Sequence, residues 1–331
     1  MTTDETLIEQ VKTILTERSK KAIDLSKQAV LSEHIKDESL REALQYFMEE
    51  ICYDTSHPTL LSLACEAVGG NPEVTVSVGA ALVVLAGAAD MHDDVIDKSI
   101  TKHDKPTVYG KYGKDTAIVA GDVLWIKGMQ MLNAACEIFP SEKRQTILEL
   151  TKQAFFDLGS AEVKEVLLHS QFDIEPEEYI EIIKLKVSLA TASARIGAIL
   201  GNGTALQVEN LGEYAETLGV LMTIRDEFID MFELDELTNR FMNECLPLPI
   251  LCAFKNVILK EKILEFLRGS QRAEAKLDEI LELVYQDSEV RKIGEYMHLL
   301  VQNTIKSLNY SKEPQGALLA LLKFSLQDLP S

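Results

Sequence analysis

The chain has 331 residues, of which 46% are hydrophobic, and this is enough to bury a large core. Its net charge of −20 argues against a nucleic acid or an anionic membrane as its partner. The five cysteines lack a C-x-x-C spacing, and the start of the chain, MTTDETLIEQ, is unlike a signal peptide. The charge-free run over 74–89 is shorter than the roughly 20 residues of a membrane span. These features predict a soluble, cytoplasmic protein.

Helical periodicity runs through almost the whole chain, and no segment alternates convincingly as a strand would. Apolar residues recur every three or four positions near the N-terminus and again over 40–51. Pro58 opens a short helix, which ends at the breaker cluster Gly69–Pro72. A long apolar helix follows. The next stretch, Lys98–Gly113, contains a proline and two glycines and is predicted to be largely loop.

Four longer helices are predicted next: 115–138, 142–169, 176–201 and 207–236. Pro176 lies in the first turn of the third of them, which is a sound start signal. Two prolines then interrupt the chain, and shorter, more polar helices continue to about residue 328. Because no linker or low-complexity tract separates these segments, we predict an all-α fold. It is a single-domain bundle of long antiparallel helices, with sites built from side chains that face inward.

The apolar helix ends in Ala88–Asp97, read AADMHDDVID, and this stretch delivers four carboxylates at once. Positions i, i+3, i+4 and i+7 share one helix face, so these residues form a first acidic ladder of Asp90, Asp93, Asp94 and Asp97. Like charges repel, and more so where water is excluded, so a ladder on so apolar a helix requires cations. Carboxylate oxygens without nearby Cys or paired His select Mg²⁺ or Ca²⁺. The alternative is a solvated acidic face.

A second acidic ladder lies in the predicted helix 207–236. Asp226, Asp230 and Glu233 share a face there, and Glu227 stands beside them. Two ladders on helices expected to be central suggest the facing walls of a cleft that holds metal ions. Divalent ions clustered between carboxylates commonly hold a phosphate or a diphosphate.

The stretch Lys98–Lys114 is locally basic, with five lysines and His103 against a single acid, Asp104. In so acidic a chain, this inversion directly after the first ladder predicts an anion clamp, to which Lys184, Lys186 and Arg225 could add. The alternative is a solvated loop that balances nearby acids.

These residues resemble the trans-isoprenyl diphosphate synthases, the all-α polyprenyl synthetase family. The first aspartate-rich motif of that family, DDxxD, is intact as Asp93, Asp94 and Asp97. Four further stretches resemble its KPT, AGD, KT and second aspartate-rich motifs, in the order Lys105–Thr107, Ala120–Asp122, Glu181–Lys186 and Asp226–Asp230. The resemblance covers about 35–255 and leaves C-terminal helices over 256–331. It implies one isoprenoid-synthase-like domain over 1–331, built around a central apolar cavity.

The resemblance also implies a set of roles. Several Mg²⁺ ions would grip an allylic prenyl diphosphate through Asp93, Asp94, Asp97, Asp226, Glu227 and Asp230. Catalysis would depend on Asp93, Asp94, Asp97, Lys186 and Asp226. Contacts with the diphosphate would come from Lys102, His103, Lys105, Lys186 and Arg225. Small residues just before the first motif, Ala88 and Ala89, would leave the cavity floor open to a chain of C15–C20 or longer. The family is usually homodimeric.

The sequence departs from the family where isopentenyl diphosphate would bind. With the GGKRxRP motif placed on Pro58, its three basic residues fall on Asp54, Thr55 and His57. The later arginine pair falls on Lys102-His103, and the glutamine of the GQxxD stretch falls on Ser160. Losing bidentate arginines is not a conservative change.

Three functions therefore remain. In the first, the chain elongates an allylic diphosphate with isopentenyl diphosphate or transfers the prenyl group to another acceptor. In the second, it is a terpene-synthase-like lyase. In the third, it is a non-catalytic partner subunit of an active synthase.

Overall fold

A computed structural model describes residues 3–102, 104–169, 171–269, 274–308, 310 and 312–327. Within these residues the chain forms sixteen α-helices, and the predicted all-α fold is confirmed. The helices are α1 Thr3–Leu31, α2 Glu38–Tyr46, α3 Ser56–Ala67, α4 Val76–Ile96, α5 Val108–Tyr112, α6 Lys114–Cys136, α7 Ser141–Leu168, α8 Pro176–Lys186, α9 Ser188–Leu200, α10 Ala205–Asp230, α11 Leu234–Asn243, α12 Leu248–Ala253, α13 Val257–Arg268, α14 Glu274–Gln286, α15 Ser288–Ser307 and α16 Lys312–Phe324.

The segment after α4 is more ordered than the sequence predicts. Two short strands, β1 Thr101–Lys102 and β2 Lys105–Pro106, pair antiparallel as a hairpin, and α5 follows directly. The Thr107 hydroxyl caps α5 by accepting a hydrogen bond from the Gly110 amide at 2.9 Å. A two-residue strand is too short to show an alternating pattern, which is why the sequence did not predict it.

Two predicted helices are shorter in the structure. The segment 176–201 is divided between α8 and α9, because Val187 leaves the helical conformation between them. The break packs the Val187 side chain against Gly219 of α10, where an added Cβ would come within 2.7 Å of the Val187 Cβ. The segment 207–236 ends at Asp230, and Glu233 becomes the N-cap residue of α11.

The apolar helix α4 lies at the centre of the bundle and packs against α1, α3 and α6. Together with the preceding 3₁₀ turn it forms a 25-residue segment, Pro72–Ile96, that is long and apolar enough to cross a membrane. The helical segment that contains the charge-free run is thus longer than the run itself. However, 67% of its most apolar window is buried inside the protein, as is typical of a core helix.

The C-terminal helices share their core with the earlier ones. One apolar cluster runs from Val11 of α1 through Leu63, Tyr214 and Phe228 to Leu322 of α16. This continuity fixes α10 and α11 against the rest of the bundle, and the second acidic ladder lies on α10.

Candidate functional site

The first acidic ladder divides into two pairs at the C-terminal end of α4. Lys102 reaches back from β1, donates a hydrogen bond to the Asp90 carboxylate, and lies 3.6 Å from Asp94 Oδ1. Asp94 is almost fully buried, and burial raises the pKa of its carboxyl to about 7 although Lys102 opposes the shift. Lys102 is thus the counter-cation of Asp90 and Asp94, which explains the extra carboxylate at position 90.

The other pair of the first ladder, Asp93 and Asp97, faces α7. The Oδ1 atom of Asp93 is buried and has no hydrogen-bond partner among the described residues. Burial, followed by the charge of Asp93, raises the pKa of Asp97 to about 7. An anionic oxygen buried without a donor is costly unless a cation is supplied.

Two glutamates of α7 complete this wall. Glu162 lies beside Asp93, and burial together with the Asp93 charge raises the Glu162 pKa to about 9. Glu165 accepts a hydrogen bond from Lys186 of α8, and the Lys186 Nζ lies 4.0 Å from Glu162. Burial lowers the Lys186 pKa, but the surrounding carboxylates outweigh this effect and raise it. The structure therefore brings Lys186 to the first ladder, held by carboxylates that the sequence analysis missed.

The structure does not bring Ser160, on which the glutamine of the family's GQxxD stretch falls, to the first ladder. Ser160 is exposed, and its hydroxyl donates a hydrogen bond to the Phe156 carbonyl on its own helix at 2.7 Å. Glu162 and Glu165 are the residues of α7 that face the ladder, and they have the three-residue spacing of the glutamine and aspartate in that stretch. The sequence therefore carried a signal for these two glutamates, because the motif keeps its spacing when its glutamine is placed on Glu162, two positions after Ser160.

The second ladder is arranged differently from the first. The Asp226 side chain is 60% exposed and lies 3.5 Å from Arg225 Nη1. Glu227 is turned into the core, where its Oε1 accepts a hydrogen bond from the Tyr179 hydroxyl at 2.7 Å and its Oε2 accepts one from the Leu248 amide at 2.8 Å. Since both Glu227 oxygens are bound by protein donors, the structure does not place Glu227 as a metal ligand. Glu233 lies beyond the helix and outside the ladder.

Arg240 of α11 is the cation of the second ladder, and the sequence analysis missed it. Its Nη1 donates a hydrogen bond to Asp230 Oδ2 at 2.8 Å, and its Nη2 lies 3.4 Å from Glu227 Oε1. No local motif marks Arg240, because the contacts depend on the chain reversing between α10 and α11. Arg240 lies ten residues after Asp230 in the sequence. A helix that ran on to residue 236, as predicted, would have carried Arg240 away from Asp230.

The two ladders approach each other through α11. The Asn239 side-chain amide lies 3.4 Å from the Asp97 carbonyl oxygen and also donates to Glu244. Burial, followed by the charge of Asp97, raises the pKa of the Glu244 carboxyl to about 8. The expected cleft walls are thus neighbours, with α11 between the end of α4 and α10.

The other predicted diphosphate contacts are spread over the molecule. Lys105 donates to Glu50 Oε2 at 2.8 Å and to the Tyr53 hydroxyl at 3.2 Å, away from both ladders. Arg225 donates to the Gln327 carbonyl at 3.3 Å, and its guanidinium stacks on the Phe324 ring. His103 lies outside the described residues. Of the predicted clamp, Lys102 and Lys186 lie at the first ladder.

The segment aligned with the family's basic motif carries an ion pair. His57 Nδ1 lies 2.9 Å from Asp54 Oδ2, and Asp54 Oδ1 accepts the His57 amide at 3.2 Å. Burial lowers the His57 pKa, but the charge and hydrogen bond of Asp54 outweigh it, so the pKa is raised. Burial raises the Asp54 pKa, but His57 outweighs it and the pKa is lowered. Each group is therefore the other's partner.

Replacing His57 by glutamine is expected to reduce the free energy of unfolding by on the order of 1 kcal/mol near pH 5.5 and by less near pH 8.5. A group with a raised folded-state pKa stabilises the fold below its unfolded pKa, and this contribution is lost as the pH rises through the folded value. Urea unfolding at both pH values measures the difference, with the exposed His298→Gln as control. A loss that is equal at the two pH values would contradict the ion pair.

A groove of about 540 Å³ lies between α2 and α6 and is lined mainly by apolar side chains, including Val30, Ile35 and Val123. It opens on the outer side of α6, so it is not the cleft between the ladders. The carboxylates and lysines converge at the ladders instead.

The donor set of the first ladder fits a hard divalent ion. Its ligands are all carboxylate oxygens, and Asp93 contributes a buried oxygen that lacks a partner. Across the described residues, no three His, Cys, Asp or Glu side chains stand close enough together to hold a metal ion as they are placed. Binding would therefore draw Asp93, Asp97 and the α7 glutamates together.

Comparison with known proteins agrees with the geometry. A family model described as "Polyprenyl synthetase" matches residues 37–284. The chain is 29% identical over 175 residues to a geranylgeranyl diphosphate synthase of Sulfolobus acidocaldarius, covering 53% of each chain. It is 27% identical over 212 residues to a short chain isoprenyl diphosphate synthase of Methanothermobacter thermautotrophicus, covering 60% of this chain and 64% of that one. The chain thus spans about half to two-thirds of the length of these curated relatives.

Solved structures share the fold over nearly the whole chain. The geranylgeranyl pyrophosphate synthetase from Pyrococcus horikoshii Ot3 superposes with a TM-score of 0.84 at 21% identity, covering 97% of this chain and 99% of that one. The heptaprenyl diphosphate synthase from Staphylococcus aureus superposes with a TM-score of 0.77 at 23% identity, covering 94% and 97%. The family match spans most of the chain and includes both acidic ladders, so this protein belongs to the polyprenyl synthetase family.

Proposed function

We propose that this protein ionises an allylic prenyl diphosphate with Mg²⁺ and transfers the prenyl group to isopentenyl diphosphate, elongating the chain in isoprenoid biosynthesis. The observation that carries the proposal is the buried, unpartnered Asp93 Oδ1, which stands beside Asp97 and opposite Lys186. Family membership and relatives named as geranylgeranyl and short chain isoprenyl diphosphate synthases support the same reaction.

Asp93 and Asp97 would hold the metal ions, with Glu162 and Glu165 closing the site from α7. Bound Mg²⁺ would withdraw charge from the departing diphosphate. Lys186 stands ready to leave Glu165 for a diphosphate oxygen, because it is about one-third exposed and carries a long flexible stem. Asp94 is kept out of the metal set by Lys102, and it fixes the hairpin that follows α4.

The first test incubates the purified protein and Mg²⁺ with C10, C15 and C20 allylic diphosphates, with and without labelled isopentenyl diphosphate. Label in a longer prenyl diphosphate would support elongation. Pyrophosphate and a hydrocarbon or alcohol without label uptake would make the chain a lyase. This outcome is worth testing because the Asp54–His57 pair stands where the family has two basic residues. No turnover would favour a partner subunit or another acceptor.

We expect Ala89→Phe to shorten the longest product. Ala88 is fully buried and Ala89 is half-buried on α4, directly ahead of the first ladder, so a large ring there would fill space next to the diphosphate end of the chain. Product lengths from the labelled assay measure the effect, and Ala205→Phe, at the exposed start of α10, is the matched control. Unchanged products would remove Ala89 from the predicted cavity floor.

We further propose a cytoplasmic homodimer made of one domain over the whole chain. The apolar cluster shared by α1, α10 and α16 supports one domain. Exposed apolar side chains on α6 and α7 support self-association, namely Val119, Ile126, Phe156, Val163 and Leu167. Light scattering on the purified protein tests the dimer.

A further inference from the structure

The two acidic ladders differ in what neutralises them. The first ladder has lysines on flexible stems and one buried oxygen without a partner, Asp93 Oδ1. At the second ladder, Asp230 is bound by the Arg240 guanidinium, and Glu227 is bound by protein donors. We propose that Arg240 is a built-in cation that takes the place of a divalent ion at the second ladder, so that the metal ions of the site are held on the side of the first ladder. This inference rests on the proposed metal-dependent function.

Arg240 is fixed from several directions at once. Its Nε donates to the Cys245 carbonyl at 3.1 Å, its Nη1 donates to Asp230 at 2.8 Å, and its Nη2 lies 3.4 Å from the Tyr179 hydroxyl. The side chain is only 9% exposed. A guanidinium does not lose its proton in a protein, so this charge is permanent. The planar fork also holds Asp230 in one orientation.

The carboxylates of the second ladder leave little for a metal ion. Glu227 is only 4% exposed, and each of its oxygens accepts a hydrogen bond from Tyr179 or Leu248. Asp230 is bound to the guanidinium, and Glu244 Oε2 lies 3.9 Å from Arg240 Nε. A divalent ion at this position would meet a fixed positive charge at less than about 5 Å, where repulsion is strong in a partly buried site. Asp226, on the exposed side of α10, is a single carboxylate and does not make a site.

The proposal is tested by counting bound Mn²⁺ ions by equilibrium dialysis, with inorganic pyrophosphate at the same concentration on both sides of the membrane. The variants are Asp93→Asn, Asp230→Asn, Arg240→Gln and Arg240→Lys, all in the full chain. We expect Asp93→Asn to bind fewer ions than the unmodified protein and Asp230→Asn to bind the same number. Arg240→Gln, which removes the cation beside Asp230 and Glu244, should bind one ion more per chain. Arg240→Lys should not, since it keeps the positive charge.

These variants separate the inference from the proposed function. If Asp230→Asn loses an ion, the second ladder holds metal and the inference is wrong, while the metal-dependent function stands. An unchanged count in Arg240→Gln would likewise overturn the role of Arg240 as a substitute cation. If the unmodified protein binds no Mn²⁺, the proposed function fails and the inference fails with it. Circular dichroism checks that each variant is folded. Asp230→Asn keeps the test decisive if the loss of the buried arginine unfolds the chain.

Discussion

Replacing Asp93 by asparagine is expected to reduce turnover by at least about 100-fold. The substitution keeps the shape of the side chain but removes the charge on a buried oxygen that no protein donor satisfies. It also removes the charge that contributes to the raised pKa values of Glu162 and Asp97. Under the proposed function, the metal ions and the diphosphate that they hold would lose their central ligand. Release of pyrophosphate from the best allylic substrate measures the effect.

Asp115→Asn is the matched control for Asp93→Asn, because Asp115 is an exposed aspartate in the first turn of α6. It should leave turnover unchanged. Asp93→Asn should also remain folded, since relieving repulsion among buried carboxylates is not destabilising in itself. Turnover within a few-fold of the unmodified protein would remove the metal cleft from the mechanism, whatever the effect on stability.

The sequence predicted those features of the site that depend on a single helix. The apolar run and the i, i+3, i+4, i+7 spacing were sufficient to place Asp93 and Asp97 together at the end of α4. The same spacing implied that the ladder divides into two pairs, since residues i and i+4 are neighbours on a helix and Asp90 therefore lies beside Asp94. Which pair receives a lysine depended on the hairpin that brings Lys102 back to α4, and a two-residue strand gives no sequence signal.

Features that depend on contacts between helices were beyond the sequence. Periodicity continues across Val187 and across Asp230, so it gave helices that are too long and hid the reversal that delivers Arg240 to Asp230. Glu162 and Glu165 are two acids among 53, and only the packing of α7 distinguishes them. Lys105 matched a family motif, but it pairs with Glu50, which lies 55 positions earlier in the sequence.

The position of helix α9 also depends on a contact between residues far apart in the sequence. A substitution at this contact is expected to have a large effect on stability. Gly197 lies against the backbone of α3, where an added Cβ would come within 2.2 Å of the Leu61 carbonyl oxygen and 3.0 Å of the Ala64 Cβ. A backbone atom cannot move aside as a flexible side chain does. Gly201, one turn on, makes the same kind of close approach to Cys65. The two helices pack through this stripe, and a methyl group would force them apart.

Gly197→Ala is therefore expected to lower the free energy of unfolding by about 3 kcal/mol. Gly159→Ala is the matched control, since an added Cβ on this exposed turn of α7 meets nothing within 4 Å, and it should stabilise the chain by about 0.5–1 kcal/mol. The urea midpoint, followed by circular dichroism, compares both variants with the unmodified protein. Equal midpoints for the two variants would contradict the close packing of α3 on α9.

Because α9 begins directly after the break at Val187, a shift of α9 would also move Lys186 away from Glu165. We therefore expect turnover to fall in Gly197→Ala and not in Gly159→Ala.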